Sequence, residues 1–242
     1  MRFGPAGTLY MNKFFRFSLF SIGIALVFST VSVAEGRGQD VLREILKRLD
    51  TNNRSIQSLH ADVEMVKMNT QLNVADTSTG STSYLPKNSK HVMYIRLDWT
   101  RPVEEQMSVI GDDYELYRPR LNQVIVGKVQ KAQGRQGVGN ALGFMNMSKA
   151  QLEANYDTAF LGVEQIKGGV QTWHVLLTPK GATSYKSADL WVDADGMPRQ
   201  ARITEQNSDT TTVLLTNIQK NVTLKGEIFK LSYPKTAKKI KA

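Results

Sequence analysis

The side chains able to do chemistry are few in this chain, and their spacing suits none of the common sites. There are three histidines, His60, His91 and His174, and no cysteine. Each histidine falls in a stretch predicted as strand, far from the others, without the His-x-x-x-His spacing or thiolate partner of a zinc site. Ser108, Ser184 and Ser187 lack the Gly-x-Ser-x-Gly elbow that would expose a nucleophile. Asp193-Ala194-Asp195-Gly196 looks like the opening of a calcium loop, but Thr204 stands where the closing glutamate belongs. Asp-Gly between two strands reads better as a hairpin turn, because glycine tolerates positive φ. Gly134, Gly137 and Gly139 are not followed by the Lys-Ser/Thr of a phosphate loop. Asp112 and Asp113 are adjacent in a strand turn and point apart. These residues predict no enzyme, no metal site and no cofactor.

The elements around them explain what the chain invests in instead. Residues 39–54 read as an amphipathic helix, with Val41, Leu42, Ile45, Leu46 and Leu49 on one face, Arg43, Lys47 and Arg48 on the other, and Asp40 as cap. The period then changes from helical to two. Leu59, Ala61, Val63 and Met65 alternate with His60, Asp62 and Glu64, and Met93, Ile95, Leu97 and Trp99 alternate with Tyr94, Arg96 and Asp98. Between these strands, residues 76–83 are a polar Thr/Ser/Gly stretch, predicted as turn or loop. Further strands are predicted at 105–110, 114–117, 123–129, 170–178, 188–192, 201–205, 211–218 and 227–232, the last closed by Pro234. Short strands joined by turns indicate a meandering antiparallel sheet. Gly-rich residues 134–143 break the pattern and lead into Ser148 and Gln151, which have capping-box spacing for a short helix through Asn155. With Leu142, Phe144, Met145, Met147 and Leu152, this region suits either an adaptable apolar lid or an ordinary packed helix after a loose loop.

Lys13 and Arg16, the apolar run that follows, and Ser32-Val33-Ala34 form a secretory signal with cleavage after Ala34. The signal is complete without the ten residues before Met11, so the start is either Met1 or Met11. Residues 1–34 are therefore expected to be removed, leaving 35–242 as one domain. A cysteine-free secreted chain fits a soluble periplasmic protein, and lacks the cysteine that lipoprotein acylation requires. The chain carries +9, of which the signal accounts for three cations. Export argues against nucleic acid as the partner of this charge, and the cations read as a scattered, solvated surface. Lys235, Lys238, Lys239 and Lys241 cluster in a tail predicted to fray. That tail suits an acidic patch on a membrane partner, an anionic lipid surface, or solubility alone.

The order of these motifs resembles the periplasmic outer-membrane lipoprotein carrier (LolA-type) family. Residues 95–102, Ile-Arg-Leu-Asp-Trp-Thr-Arg-Pro, are similar to its aromatic strand ending in Thr-x-Pro, and residues 109–117 to the hairpin that follows. Residues 175–180 resemble its Leu-x-Pro-Lys strand end. The hairpin from Trp191 to Pro198 and the terminal Phe229-x-Leu231-x-x-Pro234 complete the series. The resemblance implies a mainly β (α+β) fold. Its open antiparallel half-barrel has an apolar concave face covered by an N-terminal helix and a helical lid. It implies a monomeric carrier that shields the acyl chains of lipoproteins, loaded by an inner-membrane releasing complex and unloaded to an outer-membrane acceptor. A lipid or lipoprotein sensor of the same fold, signalling to a membrane partner, is the alternative, and an envelope hydrolase a third. The implied lipid-binding residues are Val63, Met65, Met93, Ile95, Leu97, Trp99, Met107, Val109, Trp173 and Val175 on strands, with Leu142, Phe144, Met145, Met147 and Leu152 in the cover. The family's arginine-proline pair early in its second strand, which ties the lid shut, has no counterpart. Residues 84–95 offer only Lys87, Lys90 and His91.

Overall fold

A computed structural model describes residues 32–129, 143 and 147–242. Helix α1 (Ser32–Ser55) opens the described chain and is longer than the predicted 39–54. No proline stops it from extending back through Gly36 and Gly38. Its buried face is Leu42, Ile45, Leu46 and Leu49, whereas Val41, expected on that face, is 36% exposed.

Six strands follow as a meander: β1 (Leu59–Asn69), β2 (Val74–Leu85), β3 (Tyr94–Arg101), β4 (Glu105–Ile110), β5 (Asp113–Arg118) and β6 (Gln123–Lys128). After helix α2 (Lys149–Asn155) come β7 (Tyr156–Gln165), β8 (Gln171–Pro179), β9 (Tyr185–Val192), β10 (Pro198–Glu205) and β11 (Thr210–Lys220). The two meanders join where β1 pairs with β11, and β12 (Lys238–Lys241) runs parallel to β6. The result is one twelve-stranded sheet in the order β12-β6-β5-β4-β3-β2-β1-β11-β10-β9-β8-β7. Every pairing but β12–β6 is antiparallel, and the sheet stays open, with β12 and β7 as its edges.

Four segments differ from the sequence reading. Residues 76–83, expected as loop, lie in β2, which is hydrogen-bonded on both sides, to β1 and to β3. Two paired neighbours override the low strand preference of Asp, Ser and Gly, and Gly80 is required there. A Cβ at Gly80 would sit 2.0 Å from the Asp98 carbonyl oxygen. Strand β7 has no counterpart among the predicted strands. It begins immediately after α2 with no turn between, and its alternation is broken by a bulge between Phe160 and Gly162. The predicted closing strand at 227–232 is a 3-10 turn, Gly226–Phe229, followed by extended chain. Its backbone has no ladder partner, because Phe229 drives inward to full burial and the segment lies across the sheet. The tail expected to fray forms β12 instead, anchored where Asn122 Nδ2 donates to the Thr236 carbonyl at 3.2 Å.

Both faces of the sheet are therefore occupied. On the concave face, α1 and α2 pack over β1, β3 and β8–β11. On the convex face, residues 221–237 form a strap across β3–β5. Tyr94 packs tilted against Phe229 at 5.3 Å, Ser108 donates to the Phe229 carbonyl, and Tyr117 meets Tyr233 at 5.6 Å.

Candidate functional site

The strand alternation read from sequence divides the sheet's two faces correctly, and it is the concave face that gathers the apolar residues. Two clusters lie on it. The larger one joins Ile45, Leu46 and Leu49 of α1 and Leu152 of α2 to Val63, Met65, Leu97, Trp99 and Val175, with Met107, Met147 and Trp173 packed at its margin. Val63, Leu97, Leu152 and Val175 are each at most 2% exposed, so these expected groove residues form the seat of the helices. Two contacts fix that seat. Ser148 closes a capping box with Gln151 at the start of α2, as its spacing predicted. The Asp193–Gly196 turn presses against α1. Asp193 Oδ1 accepts from the Asp195 and Met197 amides, Arg48 donates to the Ala194 carbonyl at 2.9 Å, and a Cβ at Gly196 (φ +82°) would meet the Arg48 backbone at 2.4 Å. The aspartates thus build a tight turn that supports the helix, with Arg199 paired to Asp193 at 2.6 Å.

The smaller cluster covers β3–β6. Val109, Tyr114 and Leu116 are buried at its centre, with Met93, Ile95, Met107, Ile125 and Val129 half-buried around them. No residue of α1 or α2 belongs to it. Met107 touches both clusters, so the apolar surface is continuous across β3 and β4. Of the implied lipid-binding set, Met93, Ile95, Met107 and Val109 come together here. Leu142, Phe144 and Met145 lie outside the described residues. Tyr114, Leu116, Ile125 and Val129 escaped the sequence reading. For Ile125 the reason is visible: Val124-Ile125-Val126 is apolar at three successive positions, so alternation cannot say which side chain faces the groove. Val124 is the one fully buried on the strap side.

The three histidines are dispersed. His60, on β1, is 3.0 Å from the Ser83 hydroxyl. His91 lies in the loop between β2 and β3, not in a strand, where the Asn88 side chain accepts its backbone amide and meets its ring. His174 is 6% exposed on the convex face, with Nδ1 at 2.8 Å from Glu164 and Nε2 at 2.7 Å from Asp189. Glu164 also accepts from the Trp191 indole at 2.7 Å, and Asp189 from Arg202 at 3.3 Å. The indole hydrogen bond, then that of His174, holds the Glu164 carboxyl below the usual carboxylate range. Both nitrogens of His174, the Trp191 indole nitrogen and all four carboxylate oxygens of Glu164 and Asp189 face another member of the network. Its role is to clasp β7 to β10, beside the apolar contact of Ile166 and Val170 with Trp191 and Leu214. The Trp191 ring stacks on His174 at 4.3 Å and lies beneath Arg202 at 5.0 Å.

Among the described residues, no group of three or more His, Cys, Asp or Glu side chains is disposed to hold a metal ion, and no helix is long and apolar enough to cross a membrane. Among the described residues, the arrangement offers an apolar surface on an open sheet, part of it seated under α1 and α2.

Comparison with known proteins agrees with this geometry. No curated protein is significantly similar in sequence. Among solved structures, MucB shares the fold at a TM-score of 0.54 and 14% identity, the match covering 80% of this chain and 63% of MucB. An uncharacterized conserved protein of Thermus thermophilus aligns at a TM-score of 0.52 and 13% identity, over 84% of this chain and 99% of its own. A LolA-superfamily protein of Nitrosomonas europaea aligns at 0.41 and 15%, over 78% and 97%. The family model of the outer membrane lipoprotein carrier protein LolA matches residues 54–232. With that match spanning the sheet from β1 to the strap, the chain belongs to the LolA family.

Proposed function

We propose that this protein is a periplasmic carrier that shields the acyl chains of lipoproteins on its concave face and moves them toward the outer membrane. The observation that carries the reading is the apolar cluster over β3–β6, continuous with the core yet, among the described residues, containing none of α1 or α2. An acyl chain gains about 0.8 kcal/mol for each CH₂ removed from water, so such a surface can hold a lipid without any catalytic group. Met93 and Met107 suit chains of varied shape, since the thioether side chain is flexible and polarizable. Family membership supports lipoprotein or lipid as the ligand. The secretory signal supports the periplasm, with residues 35–242 as the mature domain. An inner-membrane releasing complex and an outer-membrane acceptor complete the cycle, and the carrier works as a monomer.

Native mass spectrometry of protein taken from the periplasm tests this. Acylated protein or lipid should accompany the wild type and be lost from Ile95→Glu, whose charge would sit in the smaller cluster while the helix seat is spared. Wild-type protein free of both would overturn the proposal. Bound lipid that is never passed to an acceptor membrane would instead support the sensor reading.

A further inference from the structure

The net charge of residues 35–242 is concentrated at one end. Residues 35–219 carry 21 basic and 21 acidic side chains, while residues 220–242 carry seven lysines and one acid, Glu227. The fold lays this segment over the convex face as the strap and then along the open sheet edge as β12. Lys225, Lys230 and Lys235 are exposed along the strap. Lys239 contacts Glu115 and Tyr233 on the convex side, so Lys241, two residues on in the same strand, points that way too. Of the seven, only Lys239 pairs with an acid among the described residues. Ile228, between Lys225 and Lys230, is 41% exposed although its neighbour Phe229 is fully buried.

We propose that this strap is a docking surface for an anionic phospholipid bilayer. The segment has lysines and no arginine. A lysine is a point charge on a flexible stem, adequate for a fluid layer of phosphates, whereas fixed carboxylates on a protein partner are matched by the planar fork of arginine. Lysines five residues apart along an extended strap spread charge over a surface without converging on any point. The exposed Ile228 adds an aliphatic group that enters the acyl boundary more readily than a polar protein surface. Docked this way, the molecule lies convex side down, and its concave face stays accessible. The inference is independent of what that face holds.

Co-sedimentation with phosphatidylcholine vesicles, with and without phosphatidylglycerol, provides the test. The wild type should bind only the anionic vesicles, and high salt should release it. Each lysine near an anionic surface contributes roughly fivefold in affinity. The combined Lys225→Ser, Lys230→Ser, Lys235→Ser and Lys241→Ser variant should therefore bind about 600-fold more weakly. Arginine at the same four positions should restore binding, and Ile95→Glu should bind vesicles like the wild type even if it loses lipid cargo. Equal binding to both vesicle types, or undiminished binding by the serine variant, overturns the proposal. So does a wild type that ignores vesicles but is retained on immobilised polyglutamate, which would assign the surface to an acidic protein.

Discussion

Replacing His174 with alanine probes the clasp between β7 and β10. The ring is 6% exposed and joins two carboxylates of different standing. Asp189 is 4% exposed and would keep only Arg202, at 3.3 Å. Leaving one carboxylate oxygen buried without its donor costs about 1–3 kcal/mol. The ring stacked on Trp191 at 4.3 Å contributes about 1 kcal/mol more. Glu164 adds little, since its side chain is 49% exposed and water takes over the lost donor. The expected loss is about 2–4 kcal/mol, or roughly 5–15 °C in melting temperature for a domain of this size. Thermal unfolding followed by tryptophan fluorescence measures it directly, with Trp191 inside the network as a local reporter. A shift below about 2 °C would show that the network is solvated and clasps nothing. The pH dependence carries its own sign. Glu164 has a lowered carboxyl value in the folded protein, first through the Trp191 indole. Its contribution is present above the unfolded value, about 4.3, and is lost as pH falls through the lower folded value. Trp191→Phe should therefore flatten the loss of stability at acid pH, and an unchanged acid limb would contradict the assignment.

Other substitutions separate the sheet, the strap and the helix seat. Gly80→Ala places a methyl group 2.0 Å from the Asp98 carbonyl oxygen, so β2 and β3 must part; soluble yield and denaturant midpoint should both fall, and a native midpoint would mean β2 is not held as described. Phe229→Ala empties a fully buried site under the strap and should cost about 3–5 kcal/mol, with faster amide exchange in β12 than in β1. Ser148→Ala removes the capping box at about 1 kcal/mol, and should loosen α2 by hydrogen exchange while the strands stay protected.

How much of this was legible depended on whether a residue's neighbours in sequence were also its neighbours in space. The concave face of β1 and β3 could be read because Val63, Met65, Leu97 and Trp99 alternate cleanly with polar residues. The capping box at Ser148 and the Asp193–Gly196 turn were local chemistry, and both are present. β2 was missed because nothing in Thr77-Ser78-Thr79-Gly80 favours a strand until β1 and β3 flank it. The strap was misread as a strand because Phe229 and Leu231 alternate, yet that alternation reflects one side chain buried on a convex face with no ladder beside it. Among the described residues, the division of the concave face into a seat for α1 and α2 and a cluster over β3–β6 that neither joins had no sequence signature. It arises from where α1 lands, and that is set by the turn at Gly196, far along the chain from the helix it supports.

The central claim is that acyl chains lie on the β3–β6 cluster of the concave face, which includes no residue of α1 or α2. A lipid carrying a photoreactive diazirine in its acyl chain, cross-linked in the intact protein and mapped by peptide mass spectrometry, tests it most directly. The account predicts adducts on β3–β6, at Met93, Ile95, Met107, Tyr114 and Ile125. Adducts confined to the convex strap, or none above an unbound control, would contradict it.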